Sequence, residues 1–242
     1  FSIESEDGSA SLSELQPSAQ TRELQFAGTA AAPNAVDLML MVDTTGSMGD
    51  ELEFLKLELR NVLNRVRQDN EQLQLRASAN FYRDIGDDYL VRPFAFTDDF
   101  DLIQNQLRAQ SADGGGDGPE AVPDALENAL TKHAWSESAR ARLLFLVLDA
   151  PPHYDQSELE RVRAMISAAQ RQGVRVIPVA SSGIDKETEF LLRMLAIGTG
   201  GEYVFLTDDS GVGGGHIEPT IGEHQVEKLN DLLVRLVQKY SS

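Results

Sequence analysis

Val36-Asp37-Leu38-Met39-Leu40-Met41-Val42-Asp43-Thr44-Thr45-Gly46-Ser47-Met48 is the stretch that decides how this chain folds. The near-continuous apolar run 36–42 reads as a strand covered on both faces, the signature of a parallel sheet sandwiched between helices. It ends in Asp43, after which Thr45 and Ser47 follow at alternate positions. One carboxylate and two hydroxyls are thereby placed on a loop at the carboxyl end of a buried strand. Hard oxygen donors gathered this closely suit Mg²⁺, Mn²⁺ or Ca²⁺ better than a soft metal.

Working outward, Leu52, Leu55, Leu59, Val62, Leu63 and Val66 recur with helical period and predict an amphipathic helix over 49–68. Two strands follow, 75–84 and 89–97, and the turn residues Asp84-Ile85-Gly86-Asp87-Asp88 between them predict an antiparallel pair. A helix is expected near 100–110. After the loop Asp113-Gly114-Gly115-Gly116-Asp117-Gly118, another is expected from Pro119 to about Trp135. Leu143 to Leu148 is a second fully buried strand and ends in Asp149. The next helix, with Leu159, Val162, Met165, Ile166 and Ala169 on one face, should close at Gly173 in a left-handed cap. Strand 174–180, helix 187–197, strand 202–206 and helix 223–239 complete the pattern.

Strands alternating with helices define an α/β fold with a doubly wound, mostly parallel sheet, helices on both faces and one antiparallel edge strand. Such sheets bind ligands at the carboxyl ends of their strands, the edge on which Asp43 and Asp149 both fall. Residues 1–34 differ in character: Ser, Glu, Ala, Gln and Gly dominate, and only Glu23-Leu24-Gln25-Phe26 alternates like a strand. They read as a linker or the end of a preceding module, and 35–240 as the domain proper.

The chain has 21 basic against 39 acidic side chains, a net charge of −18, which disfavours nucleic acid and anionic membrane surfaces as partners. No apolar run approaches the ~20 residues of a membrane-spanning helix, so no membrane insertion of this segment is expected. Cysteine is absent, which excludes disulfides and thiolate metal sites.

The segment Asp43-Thr44-Thr45-Gly46-Ser47 resembles the Asp-x-Ser-x-Ser signature of von Willebrand factor type A domains, which forms a metal-ion-dependent adhesion site in that family. The resemblance continues in order along 35–240. Gly114-Gly115-Gly116-Asp117-Gly118-Pro119-Glu120-Ala121 is similar to the second metal loop, and Leu148-Asp149-Ala150-Pro151-Pro152-His153 to the third. The segment 192–203 is similar to the late helix–strand junction, and Gly215-His216-Ile217-Glu218-Pro219 resembles bacterial secreted members. Carried over, Thr45 and Ser47 bind the ion directly, while Asp43 and Asp149 hold it through water. Asp117 stands where many members have a threonine, and a direct carboxylate there tightens the hold on the metal and weakens its pull on a partner's acid. The resemblance implies a protein-binding or adhesion module whose ion coordinates an acidic partner residue. It also implies an extracellular, cell-surface or periplasmic location.

Two alternatives stand beside that reading: an assembly subunit in which the metal is structural, and a metal-dependent hydrolase. Catalysis is not expected. A phosphatase of the Asp-x-Asp type needs an aspartate where Thr45 stands, and neither a phosphate-binding P-loop nor a Gly-x-Ser-x-Gly elbow occurs. Asp113 reads as a solvated loop carboxylate, and Asp50 and Glu51 as acids favouring their helix N-terminus. His153 is expected to rim the site, and His216, Glu218 and His224 to serve loop packing. Phe81, Tyr82 and Trp135 are expected in the core or at a helix edge.

Overall fold

The computed structural model describes residues 34–69, 72–116, 118–181, 184–206 and 228–241, together with the backbone of 2–6 and 9–13. Two compact units divide the chain, Phe1–Ala32 and Pro33–Ser242. In the first, β1 (Ser2–Glu6) pairs antiparallel with β2 (Ser9–Ser13), Glu6 opposite Ser9. That hairpin was not anticipated, although Asp7-Gly8 between the strands is a two-residue hairpin signal. The strand expected at 23–26 lies outside the described residues.

The second unit opens with β3 (Ala35–Asp43), followed by a 3₁₀ turn (Gly46–Met48) and α1 (Gly49–Asp69). Next come β4 (Gln74–Tyr82), β5 (Val91–Arg92), α2 (Phe100–Arg108) and α3 (Val122–Thr131). The unit continues through β6 (Ala141–Leu148), α4 (Gln156–Gln172), β7 (Val174–Ala180), α5 (Lys186–Thr199), β8 (Val204–Phe205) and α6 (Leu229–Ser241). The six strands are ordered β5-β4-β3-β6-β7-β8, all parallel except the β4–β5 pair at one edge. The sheet is thus the mostly parallel, doubly wound one expected.

β3 sits at the centre and divides its side chains by the two-residue period of a strand. Val36, Leu38, Leu40 and Val42 join the core formed with α1, α2 and α6. Met39 and Met41 join the opposite core with α3, α4 and α5. Asp37, inside this apolar run, is fully buried and satisfied by a bidentate pair with Arg76 at 2.9 and 2.8 Å and by the Ser136 amide at 2.6 Å. Buried carboxylates persist when every lone pair finds a donor in this way.

The chain leaves β3 for β4 on one side and returns across it to β6 on the other. The crevice where strand order reverses therefore opens at the carboxyl ends of β3 and β6, where Asp43 and Asp149 stand.

Three boundaries differ from expectation. α3 starts at Val122 with Pro123 in its first turn, because the Glu120 amide is drawn off to the Pro151 carbonyl at 2.8 Å. Its far end stops at Thr131, and Trp135 folds back to donate from Nε1 to the Ala129 carbonyl at 2.8 Å. β5 is only two residues long because Pro93 cannot donate to a ladder. Ser78 and Asn80 side chains hold Phe94 there instead, at 2.6 and 2.7 Å. The helix expected over 223–239 is described from Leu229 to Ser241, and 223–227 lie outside the described residues.

Gly173 closes α4 at φ 64°, the left-handed cap its position predicted. Gly201, just past α5, lies so close to β7 that an added Cβ would overlap the Val176 carbonyl. Gly201→Ala is therefore expected to cost about 3 kcal/mol, read as a lowered midpoint in urea denaturation. An unchanged midpoint would mean that α5 and β7 separate easily.

Candidate metal centre

Asp43 is the last residue of β3 and is fully buried. Its Oδ1 accepts from the Thr45 amide at 2.8 Å and from the Thr45 hydroxyl at 2.7 Å. Its Oδ2 is buried and makes no hydrogen bond of normal geometry, although the buried Tyr82 hydroxyl interacts with the carboxylate. The 3₁₀ turn then lifts Ser47 into solvent while Met48 plugs the core beneath it. The Ser47 hydroxyl reaches Asp149, the residue after β6, whose Oδ1 is likewise buried and unpartnered. Four sequence-predicted residues, Asp43, Thr45, Ser47 and Asp149, thus meet at the end of the sheet. Asp117 lies outside the described residues, as do His216, Glu218 and His224.

The second loop crosses over the first. The Gly46 amide donates to the Gly114 carbonyl at 3.3 Å, and the Asp113 amide to the Thr44 carbonyl at 3.1 Å. Gly115, at φ 70°, fits where a Cβ would stand 2.8 Å from Glu120 Oε1 and 2.9 Å from Thr45 Cβ. Only glycine allows the backbone to pass here. Asp87 secures this loop from the side, its Oδ2 accepting from the Gly115 and Asp84 amides at 3.1 Å each. Asp113 is exposed and caps the Gly114 amide, in keeping with a solvated loop carboxylate.

Two acids at the site escaped the sequence reading. Glu120 is 2 % exposed, faces the Thr45 hydroxyl and leaves Oε2 buried without a partner. Its signal was its place in the quoted loop, masked by the apparent helix start at Pro119. Glu51 is 3 % exposed and leaves Oε1 unpartnered beside Asp149 and Ser181. Both Glu51 and Asp50 lie in the first turn of α1, as expected, but Glu51 is buried whereas Asp50 is exposed. The difference follows from helix phase, since Leu52 and Leu55 carry that side of α1 inward. His153 donates from Nε2 to Asp84 Oδ1 at 3.0 Å and so braces the rim.

The electrostatics are those of acids confined together. Burial pushes Asp43 up to about 7, opposed by the Thr45 amide and hydroxyl and reinforced by Asp149. Burial likewise lifts Glu120 to about 8, with Asp43 and Asp84 adding repulsion. Asp149 and Glu51 are raised chiefly by burial, and the Tyr82 hydroxyl is raised by burial and by the charges of Asp43, Glu120 and Asp149. Unpartnered carboxylate oxygens in a low-dielectric site need a proton or a cation. The donors present are all oxygen and include neutral hydroxyls, so a hard divalent ion fits them. Among the described residues, no group of three or more Asp, Glu or His side chains is placed to hold a metal ion, so a cation here would also need the Thr45 and Ser47 hydroxyls.

A doubly wound sheet with hydroxyl and carboxylate loops converging at its switch point defines a class of α/β binding domain. The chain belongs to the von Willebrand factor A domain family, whose model matches residues 37–212. It is 30% identical over 119 residues to an ariadne-like RING finger protein of Acanthamoeba polyphaga mimivirus, covering 49% of this chain and 11% of that protein. In fold it is similar to proximal thread matrix protein 1 from the mussel byssus, with a TM-score of 0.54 and 12% identity, over 86% of this chain and 45% of that one. The chain thus spans less than half the length of either of these proteins. Among the described residues, no helix is long and apolar enough to cross a membrane.

Proposed function

We propose that this domain is a protein-interaction module that works through a divalent cation, Mg²⁺ foremost, at the carboxyl edge of its sheet. The supporting observation is the set of buried, unpartnered oxygens on Asp43, Asp149 and Glu120 around the Thr45 and Ser47 hydroxyls. Thr45, Ser47, Asp43, Asp149 and Glu120 would hold the ion; Asp117, outside the described residues, is the further candidate that the sequence offers. When bound, the ion supplies an electrophilic centre able to accept a carboxylate from a partner protein. The domain's own residues shape that centre: Asp43 orients Thr45, the Gly115 backbone covers one flank, and the side formed by Asp43, Thr45 and Glu120 is buried. Catalysis forms no part of this reading.

A second reading draws on Glu120. An added carboxylate beside a doubly charged ion would leave less attraction for an outside acid, which favours an ion that staples loops together for assembly through other surfaces. Panning a displayed peptide library against the domain in Mg²⁺ and eluting with EDTA separates the two. The adhesion reading expects enriched, EDTA-released peptides that share an Asp or Glu. Peptides lacking an acid, or held despite EDTA, would favour the staple.

A further inference from the structure

Thr44 occupies the unspecified position between Asp43 and Thr45, yet every polar atom it has is engaged. Its amide and its hydroxyl both donate to the Tyr82 carbonyl at 2.9 Å. Its carbonyl accepts from the Asp113 amide at 3.1 Å. Its hydroxyl also lies 2.6 Å from the Tyr89 hydroxyl. A threonine hydroxyl has one proton, and Tyr82 takes it, so in this contact Tyr89 is the donor.

Tyr89 is in turn held on its ring by two guanidinium groups, Arg92 at 3.9 Å and Arg83 at 4.8 Å from the centroid. Each of these arginines also grips the approach to the second loop. Arg83, only 4 % exposed, donates to the Ser111 carbonyl at 2.8 Å, and Arg92 to Gln110 Oε1 at 2.7 Å. The hairpin between β4 and β5 therefore joins the first loop, through the Tyr89 hydroxyl, to the start of the second, through the two arginines.

We propose that Tyr89 is a positioning residue for the cation centre, its hydroxyl fixing Thr44 and thereby the Thr45 peptide and side chain against Asp43. The inference rests on the reading that a cation binds among these loops. With Thr44 pinned toward β4, the Thr45 amide and hydroxyl are left aimed at Asp43 Oδ1. Without the Tyr89 donor, Thr44 keeps its bonds to Tyr82 but loses its tie to the segment that carries residues 110–111. The backbone bonds from Asp113 to Thr44 and from Gly46 to Gly114 remain, but the side-chain tie that fixes Thr44 against the hairpin is gone.

The test is Mn²⁺ affinity by titration calorimetry, with the melting temperature of the EDTA-treated protein alongside, for wild type, Tyr89→Phe, Thr44→Val and Thr44→Ser. Tyr89→Phe keeps the stacked ring and removes only the donor. Both Tyr89→Phe and Thr44→Val are expected to weaken Mn²⁺ binding about three- to tenfold, the scale of one lost hydrogen bond. The double variant should bind no worse than Thr44→Val alone, and Thr44→Ser, which keeps the hydroxyl, should restore affinity. A merely structural role would lower melting temperatures and leave Mn²⁺ affinity of the folded protein unmoved. Wild-type affinity in Tyr89→Phe, or Thr44→Ser as weak as Thr44→Val, overturns the inference alone. No Mn²⁺ uptake by wild type overturns the reading beneath it as well.

Discussion

Stripped of divalent ions with EDTA, the domain is expected to lose stability steeply as pH rises from about 4 to 8. Asp43 holds its proton up to about 7 when folded, against 3.8 as an isolated side chain, and Glu120 holds its own up to about 8 against 4.5. Between those limits the folded state binds more protons than the unfolded one. Stability is therefore fully present below the unfolded values and declines as pH climbs through the folded ones. For Asp43 alone the decline amounts to about 4 kcal/mol, or roughly 10 °C in melting temperature for a domain of this size. Asp43 and Glu120 repel one another, so the window belongs to the pair rather than to either group. Saturating Mg²⁺ or Mn²⁺ should flatten the decline, because the ion takes the place of the protons. Melting curves at pH 5, 6, 7 and 8, with and without ion, give the answer. A cation-free protein equally stable across the range would show that these carboxyls reach water.

The second large effect concerns Asp43→Asn, which should move two properties in opposite directions. Asparagine Oδ1 can still accept from the Thr45 amide and hydroxyl, so the loop keeps its shape. The variant removes a buried negative charge, so the cation-free protein should become more stable than wild type at pH 8, by several degrees. It also removes the charge that attracts the ion, and affinity for Mn²⁺ should drop about a hundredfold or more. Were Asp43 only a structural brace for Thr45, both quantities would hold steady or fall together. Thermal melts and calorimetry on one preparation distinguish these outcomes.

How much of this was legible in the sequence depends on what kind of constraint each feature obeys. Strands buried on both faces announce themselves, so β3, β6 and β7 and the strand-end Asp43 and Asp149 could be placed from hydrophobic runs alone. Gly173 was equally readable, since a helix ending ahead of a glycine has a local cause. The start of α3 was not. Pro119 satisfies local rules for a first helical residue, but the Glu120 amide pairs with Pro151, 31 positions away in the chain, and no local rule reports that. Glu120 and Glu51 were missed for a related reason. Acidic residues are by default solvent-facing, and only the tertiary placement of α1 and the second loop turns these two inward. Thr44 was passed over because its position in the motif carries no required type, whereas its four bonds depend on β4, the hairpin and the second loop together.

The most direct test of the central claim is calorimetric titration of Mn²⁺ into the domain at pH 7, repeated in buffers of different ionisation enthalpy. With Asp43 near 7 and Glu120 near 8, an ion entering among them must displace protons, so the account predicts saturable uptake at one site with proton release. Absence of uptake, or uptake without proton release and unchanged in Asp43→Asn, would contradict it.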